Sequence, residues 1–195
     1  MSKISITPNA SGTGVFTISS PATNTDRSLT LPDEAGTIIT TAGVPSSAMP
    51  AGSVLQVVNG FTSTAVTSTA LDAWVDTGIT ATITPTSASS KIMVIVNICG
   101  ISKYSTNLWN RMGIQILRGS TVMGIMSLRN MYTASAMEIS LPGVMYSKLD
   151  SPATTSATTY KVQFLQEAPG TVGGVTVQRD GNSGESQIFL MEISA

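Results

Sequence analysis

From residue 53 to the C-terminus, the chain is a succession of short strand patterns separated by turn residues. Residues 79–84 alternate apolar and polar side chains as a half-buried strand does, and residues 92–98 form an almost continuous apolar run of strand length. Turns recur roughly every 8 to 12 residues, which is typical of an all-β sandwich, and no window keeps a helical period. The sequence therefore predicts an all-β domain of about eight to ten strands, arranged as a jelly roll of two four-stranded sheets.

The best hairpin is predicted where strands at residues 109–117 and 122–128 flank a tight turn at residues 118–121. The pattern of residues 137–145 is interrupted by Pro142, so this strand is expected to bend, to carry a bulge or to lie at an edge. The remaining strands are predicted at residues 53–59, 74–78, 79–85, 92–98, 160–165, 175–177 and 188–193.

The N-terminal part of the chain has strand patterns that are too short to make a core. Short runs at residues 15–18, 28–31 and 36–40 are separated by Pro, Asn, Asp and Gly, and an isolated hairpin is marginal in water. We therefore predict an extended anchoring arm at residues 1–41 that becomes ordered when other chains complete its sheet. A Pro-, Ala-, Ser- and Gly-rich linker at residues 42–52 separates it from the sandwich at residues 53–195.

Composition excludes several classes of function. Charged residues make up 11% of the chain, against about 25% in an average domain, while 42% hydrophobic residues argue against disorder. The net charge is −1 and no basic stripe is present, so nucleic-acid binding is not expected. The longest apolar run, residues 92–99, is too short to cross a bilayer, and no signal-peptide pattern opens the sequence. We expect no membrane insertion, and assembly in the cytoplasm of a producing cell.

The chain contains no histidine, which removes Ser-His and Cys-His nucleophile pairs and histidine-containing zinc sites. Carboxylate pairs remain available for glycosidase chemistry, but the sequence offers no catalytic, cofactor-binding or metal-binding residues, and we expect no enzyme. Cys99 is the single cysteine and is interpreted as a small buried hydrophobe. The ten methionines are typical of gap-filling core residues or of an adaptable binding face.

One turn has the composition of a metal loop. Asp180, Asn182 and Glu185 lie on a glycine-rich segment between two predicted strands, and calcium prefers oxygen ligands of this kind. A plain hairpin turn, with Gly and Asn at positive φ, explains the same residues. Both interpretations stay open, although we expect no metal dependence.

Several motifs, in order along the chain, resemble bacteriophage fibre and virion structural proteins. The segment at residues 27–38, RSLTLPDEAGTI, resembles their N-terminal and shaft segments. Further motifs resemble their C-terminal β-sandwich: WVDTGI at residues 74–79, TPTSASSKI at 84–92, LRGS at 117–120, LDSPATTSATTYKVQ at 149–163 and LMEI at 190–193. The resemblance implies a homotrimer whose arm binds other virion proteins of the capsid or tail, and whose distal domain contacts the host surface or the capsid.

Three functions follow as hypotheses. The first is a short trimeric tail fibre or spike that binds a host glycan or protein. The second is a capsid decoration or head-fibre protein that stabilises the capsid lattice, and the third is a β-sandwich glycan depolymerase, which the small size and the lack of histidine disfavour. The absence of repeated shaft segments favours a short fibre, spike or decoration protein over a long fibre.

Overall fold

The computed structural model divides the chain into two compact units, Met1–Ile39 and Thr40–Ala195. It describes residues 10–15, 17, 22–26, 28, 44, 48–103, 111–131, 138–167, 173–179 and 185–195. The predicted strands of the arm fall almost wholly outside these residues. The strands of the second unit are β1 (Val54–Thr62), β2 (Val66–Ser68), β3 (Val75–Ile83), β4 (Lys91–Lys103), β5 (Arg111–Arg118), β6 (Thr121–Asn130), β7 (Ile139–Asp150), β8 (Thr158–Glu167), β9 (Val175–Val177) and β10 (Ser186–Ile193).

The strands form one long hairpin that is rolled into two antiparallel sheets. Strand β5 pairs with β6 at the tip of the hairpin, and the pairs β4–β7, β3–β8, β2–β9 and β1–β10 enclose this tip in succession. Rolling brings β10 beside β4 and β8 beside β5. The result is a six-stranded sheet with the order β1-β10-β4-β9-β2, in which β7 also pairs with β4, and a four-stranded sheet with the order β3-β8-β5-β6. This nesting is a jelly roll, and the predicted all-β sandwich is confirmed.

The core lies between the two sheets and is built from alternate residues of their strands. In β4, Ile92, Val94, Val96 and Ile98 are fully buried, so the residues between them face away from the core. Burying each such side chain contributes roughly 1.5–3 kcal/mol, which is why the two sheets stay together. The facing sheet supplies Ile79, Ile83, Met112, Ile114, Ile116, Tyr160, Val162 and Phe164.

The two ends of the sandwich carry different connections between strands. The chain enters and leaves at one end, where the Gly52 N–H donates to the Ser194 carbonyl at 2.9 Å and the Ser194 N–H donates to the Ser53 carbonyl at 2.9 Å. The β3–β4, β5–β6 and β7–β8 connections lie at this end, which we call the terminal end. The β4–β5, β6–β7 and β8–β9 connections leave from the opposite end.

Both lateral margins of the sandwich are closed by contacts between the sheets. At one margin β1 lies so close to β3 that a Cβ added at Gly60 would come within 1.9 Å of the Thr80 carbonyl oxygen. At the other margin the Lys148 ammonium donates to the Met123 carbonyl, joining β7 to β6. A Cβ at Gly124 would lie 2.5 Å from the Tyr146 hydroxyl. Neither β1 nor β7 therefore presents a fully open edge for pairing with another strand.

The structure extends the predicted strand map in three respects. Strand β2 was not predicted, because three residues are too few to show a period, and with β9 it enlarges the first sheet from four strands to six. Strand β4 runs 13 residues, beyond the predicted end at residue 98, and passes through Gly100, whose φ is +58°. The predicted irregular strand is β7, which includes Pro142 and, among the described strands, pairs with β4 alone, as an edge strand does.

Candidate interaction surface

The side of the six-stranded sheet that faces away from the core carries a continuous apolar surface. Strands β1, β10, β4 and β7 lie side by side, and their register aligns outward-facing residues into rows. We call the surface formed by these rows the outer face. Its rows are Val57–Met191–Met93–Leu149, Asn59–Phe189–Ile95–Ser147 and Phe61–Gln187–Asn97–Met145.

The most exposed apolar side chains of the outer face lie on its two marginal strands. Phe61 and Val57 on β1 are 63% and 55% exposed, and Met145 and Leu149 on β7 are 76% and 46% exposed. The central residues, such as Ile95, are only partly exposed because neighbouring strands flank them. The apolar exposure of the outer face is therefore greatest at its two margins.

No position of the outer face carries a charged side chain, and its polar members are Asn59, Asn97, Ser147 and Gln187. The projected area follows from the sheet spacings: four strands and three rows cover roughly 19 Å by 20 Å, or about 400 Å². Apolar patches of about 300–600 Å² are the largest on a typical monomer and are often functional. The outer face, including its four polar positions, falls within this range and is a candidate interaction surface.

The corresponding surface of the four-stranded sheet is polar along β3 and β8, whereas β6 exposes the apolar side chains of Val122 and Ile125. Lys161 forms an ion pair with Asp76 at 3.0 Å, and the Gln163 amide donates to the same carboxylate at 2.8 Å. Burial raises the pKa of Asp76, but these two donors outweigh it, so its pKa lies below the ordinary value. Exposed threonines on β3 and β8 pair beside this group, with 2.8 Å between the hydroxyls of Thr82 and Thr159.

A buried carboxylate organises the terminal end. Glu192 of β10 is fully buried, and its Oε1 accepts hydrogen bonds from the Thr86 N–H at 2.7 Å and the Thr86 hydroxyl at 2.8 Å. Its Oε2 accepts from the Gln56 amide at 2.6 Å, and the same amide nitrogen donates to the Thr84 carbonyl. Burial raises the pKa of Glu192, but these hydrogen bonds lower it by more, so the carboxylate stays ionised. It links β1, β10 and the β3–β4 connection.

Two small grooves lie at the terminal end. One, of about 370 Å³, is lined mainly by hydroxyl groups and is adjacent to the Glu192 network through Thr86. The other, of about 320 Å³, lies between Arg118 and the β7–β8 connection, the polar segment around Thr154. Neither lining holds a carboxylate pair or a nucleophile with a neighbouring base, so these grooves show no catalytic arrangement.

The second groove is supported by a polar cluster that joins the two sheets. Arg118 of β5 donates to the Asp150 Oδ2 of β7 at 2.7 Å, and the Tyr160 hydroxyl of β8 donates to the same oxygen at 2.8 Å. Burial, and then the hydrogen bond to Asp150, raise the pKa of Tyr160 well above its usual range. The Tyr160 hydroxyl is thus a hydrogen-bond donor that links β8 to β7.

Buried polar side chains also gather where β2, β9 and the end of β4 meet. Ser68, Ser102, Lys103 and Thr176 are nearly inaccessible there. Burial lowers the pKa of Lys103 below its ordinary value. The hydroxyl oxygens of Ser68 and Ser102 have no hydrogen-bond partner in the structure.

The structure answers some of the sequence-based hypotheses about single residues. Cys99 is half-buried and not buried as expected, because it faces the outer side of β4, where its thiol donates to the Glu185 carbonyl at 3.4 Å. Asp180 and Asn182 lie outside the described residues, so the calcium and hairpin interpretations of that turn both stay open. Among the described residues, no group of three potential ligands from His, Cys, Asp and Glu is found.

Methionines are found both in the core and on the outer face. Met112 and Met131 are buried in the core. Met93, Met145 and Met191 belong to the outer face. Sequence reasoning missed this face, although the signal was present: residues 92–98 are apolar at nearly every position, and such a strand has apolar side chains on both of its sides.

Comparisons with known proteins give no relative. No protein-family model matches this chain, and a search of curated proteins finds no similar sequence. In the part of the chain that the structure describes, no helix has the length and apolar character needed to cross a membrane.

Proposed function

We propose that this protein is a non-enzymatic structural component of a bacteriophage particle. In this proposal it is a short trimeric fibre or spike, attached to capsid or tail proteins through residues 1–41, whose β-sandwich binds a host glycan or protein. The observation that carries the proposal is the jelly roll with one broad, uncharged apolar side. A surface of this kind fits a subunit of a permanent assembly, because obligate interfaces are depleted of charge and enriched in apolar side chains.

The arrangement of the sandwich is consistent with attachment through the N-terminal segment. The chain enters the second unit at the terminal end, where Gly52 and Ser53 are hydrogen-bonded to Ser194. The connections that leave from the opposite end of the sandwich are candidates for host contact, since binding residues concentrate on loops presented by a rigid scaffold.

The resemblance of RSLTLPDEAGTI at residues 27–38 to fibre shaft segments supports the role of the arm. Short strands of this kind gain order by adding to neighbouring chains, as in β-augmentation. The protein would then be assembled in the host cytoplasm and located in the virion.

Gold-labelled antibodies against the sandwich provide the direct test. We expect labelling of intact particles of the phage that encodes this chain, at the tail or at fibre tips. A particle preparation without label, in which antibody still detects the protein in the lysate, would refute a structural role.

A shortened chain that begins at Ala51 tests the division of labour between the two units. It should fold and trimerise yet fail to bind particles that lack the native protein, whereas the full-length chain binds them. If the shortened chain decorates such particles equally well, the arm is not the anchor.

A capsid decoration protein is the second candidate. The flat outer face favours it, because a broad apolar surface could also cover a capsid lattice. Labelling distinguishes the two functions by position, on the head or on the tail. A decoration protein should also raise the temperature at which particles release their DNA, whereas a spike should leave that temperature unchanged.

A further inference from the structure

We propose that the outer face of the six-stranded sheet is the surface through which copies of this chain bind one another. In the trimer of the proposed function, on which this inference rests, the three outer faces surround the symmetry axis. The β1 margin of each copy, with Val57 and Phe61, then packs against the β7 margin of the next, with Met145 and Leu149.

The lack of charge on the outer face favours another copy of this chain as the occupant. Side chains close to a threefold axis meet their own copies, so a charge there would face like charge in a dry interface. None of the positions of the outer face is charged, and Lys91 and Glu185 lie beyond its rows. A partner of opposite charge would select a charged surface, which this face does not offer.

The distribution of exposed side chains favours contact from margin to margin. The most exposed side chains, Phe61 and Met145, lie on opposite marginal strands in the same row of the sheet. Three flat sheets placed around an axis meet along their margins, where the β1 side of one copy faces the β7 side of the next. Two complementary apolar margins on one chain make a contact that closes into a ring.

Contacts between the sheets restrict the addition of strands at parts of these margins. Strand β1 lies against β3 at Gly60, and the Lys148 side chain of β7 bonds to the Met123 carbonyl of β6. The association that the outer face itself offers is therefore contact between side chains.

Single charges at the two margins test the proposal. The chain has a mass of 20.2 kDa, and light scattering of the full-length protein at micromolar concentration should give about three times this value. Phe61→Lys and Met145→Lys should each shift the mass to that of one chain. Both positions are largely exposed, so the monomer should stay folded by circular dichroism. Thr82→Lys, at an exposed position on β3 of the four-stranded sheet, is the matched control and should leave the trimer intact.

A second measurement covers the case in which the lysine variants fail to fold. Phe61→Cys and Met145→Cys combined with Cys99→Ser place thiols only at the two margins, and a short bismaleimide should then yield a covalent trimer on a denaturing gel. The same treatment of Thr82→Cys with Cys99→Ser should yield single chains. If the variant with thiols at the two margins yields no cross-linked species, the proposal is overturned.

Three further outcomes would also overturn it: a monomeric full-length protein, a dimer, or lysine variants that keep the mass of the trimer. The proposed function would be refuted separately, if intact particles carry no gold label. If intact particles are labelled but the lysine variants stay trimeric, the virion role stands and the outer face is not the interface between copies.

Discussion

Replacing Glu192 by glutamine isolates one charge at the terminal end without changing the shape of the side chain. The introduced amide oxygen can still accept both hydrogen bonds from Thr86, but its NH₂ group must face the Gln56 amide nitrogen, donor against donor. Turning the Gln56 amide would place its oxygen against the Thr84 carbonyl, to which that amide now donates. The variant therefore loses at least one hydrogen bond to a charged group, whichever way the amides turn.

A hydrogen bond to a charged group contributes about 1.5–3 kcal/mol. Since 1 kcal/mol shifts the melting temperature of a chain of this size by about 2–4 °C, Glu192→Gln should melt about 3–12 °C below the wild type at pH 7. Differential scanning calorimetry measures this directly. Glu185→Gln makes the same chemical change at an exposed carboxylate just before β10, and should stay within about 0.5 kcal/mol of the wild type.

The pH dependence gives the same experiment a second readout. The folded-state pKa of Glu192 is lowered, so its contribution to stability is fully present above the unfolded-state pKa of about 4.3 and is lost as the pH falls through the folded-state pKa. The difference in melting temperature between wild type and Glu192→Gln should be constant from pH 5.5 to 8 and shrink below about pH 4.3. Equal melting temperatures at pH 7, or a difference that persists undiminished to pH 3, would refute the role of this carboxylate.

Three further predictions concern the rest of the sandwich. Gly60→Ala should destabilise the sandwich by about 1–3 kcal/mol in thermal melts, because the new Cβ meets the Thr80 carbonyl oxygen at 1.9 Å. The control Gly14→Ala, with open space around it, should have no effect, and a neutral Gly60→Ala would contradict the close approach of β1 and β3. Tyr160→Phe removes the hydroxyl that donates to Asp150 at 2.8 Å and should cost about 1 kcal/mol in denaturant unfolding, and an unchanged midpoint would show that this bond adds nothing. Chelator should leave the melting temperature unchanged, and a fall of more than about 8 °C would reveal a bound ion.

Much of the sandwich could be predicted because strand alternation is a local property. The period of residues 79–85 predicted the second half of β3, which joins the two predicted strands at residues 74–78 and 79–85. The turn at residues 118–121 between two alternating runs predicted the β5–β6 hairpin, since this signal also lies within one short window. The irregular strand with Pro142 was likewise predicted, because proline removes a backbone donor wherever it stands.

The sequence by itself determined the strands, the class of fold and the scarcity of charge. Only the tertiary structure decided which strands are neighbours, and with that the outer face and the Glu192 network. Val57, Met93, Leu149 and Met191 lie far apart in the chain and become one row only through the pairing of β1, β10, β4 and β7. The physical reason is that alternation fixes which side of its own strand a residue takes, whereas register between distant strands depends on the packing of the whole core.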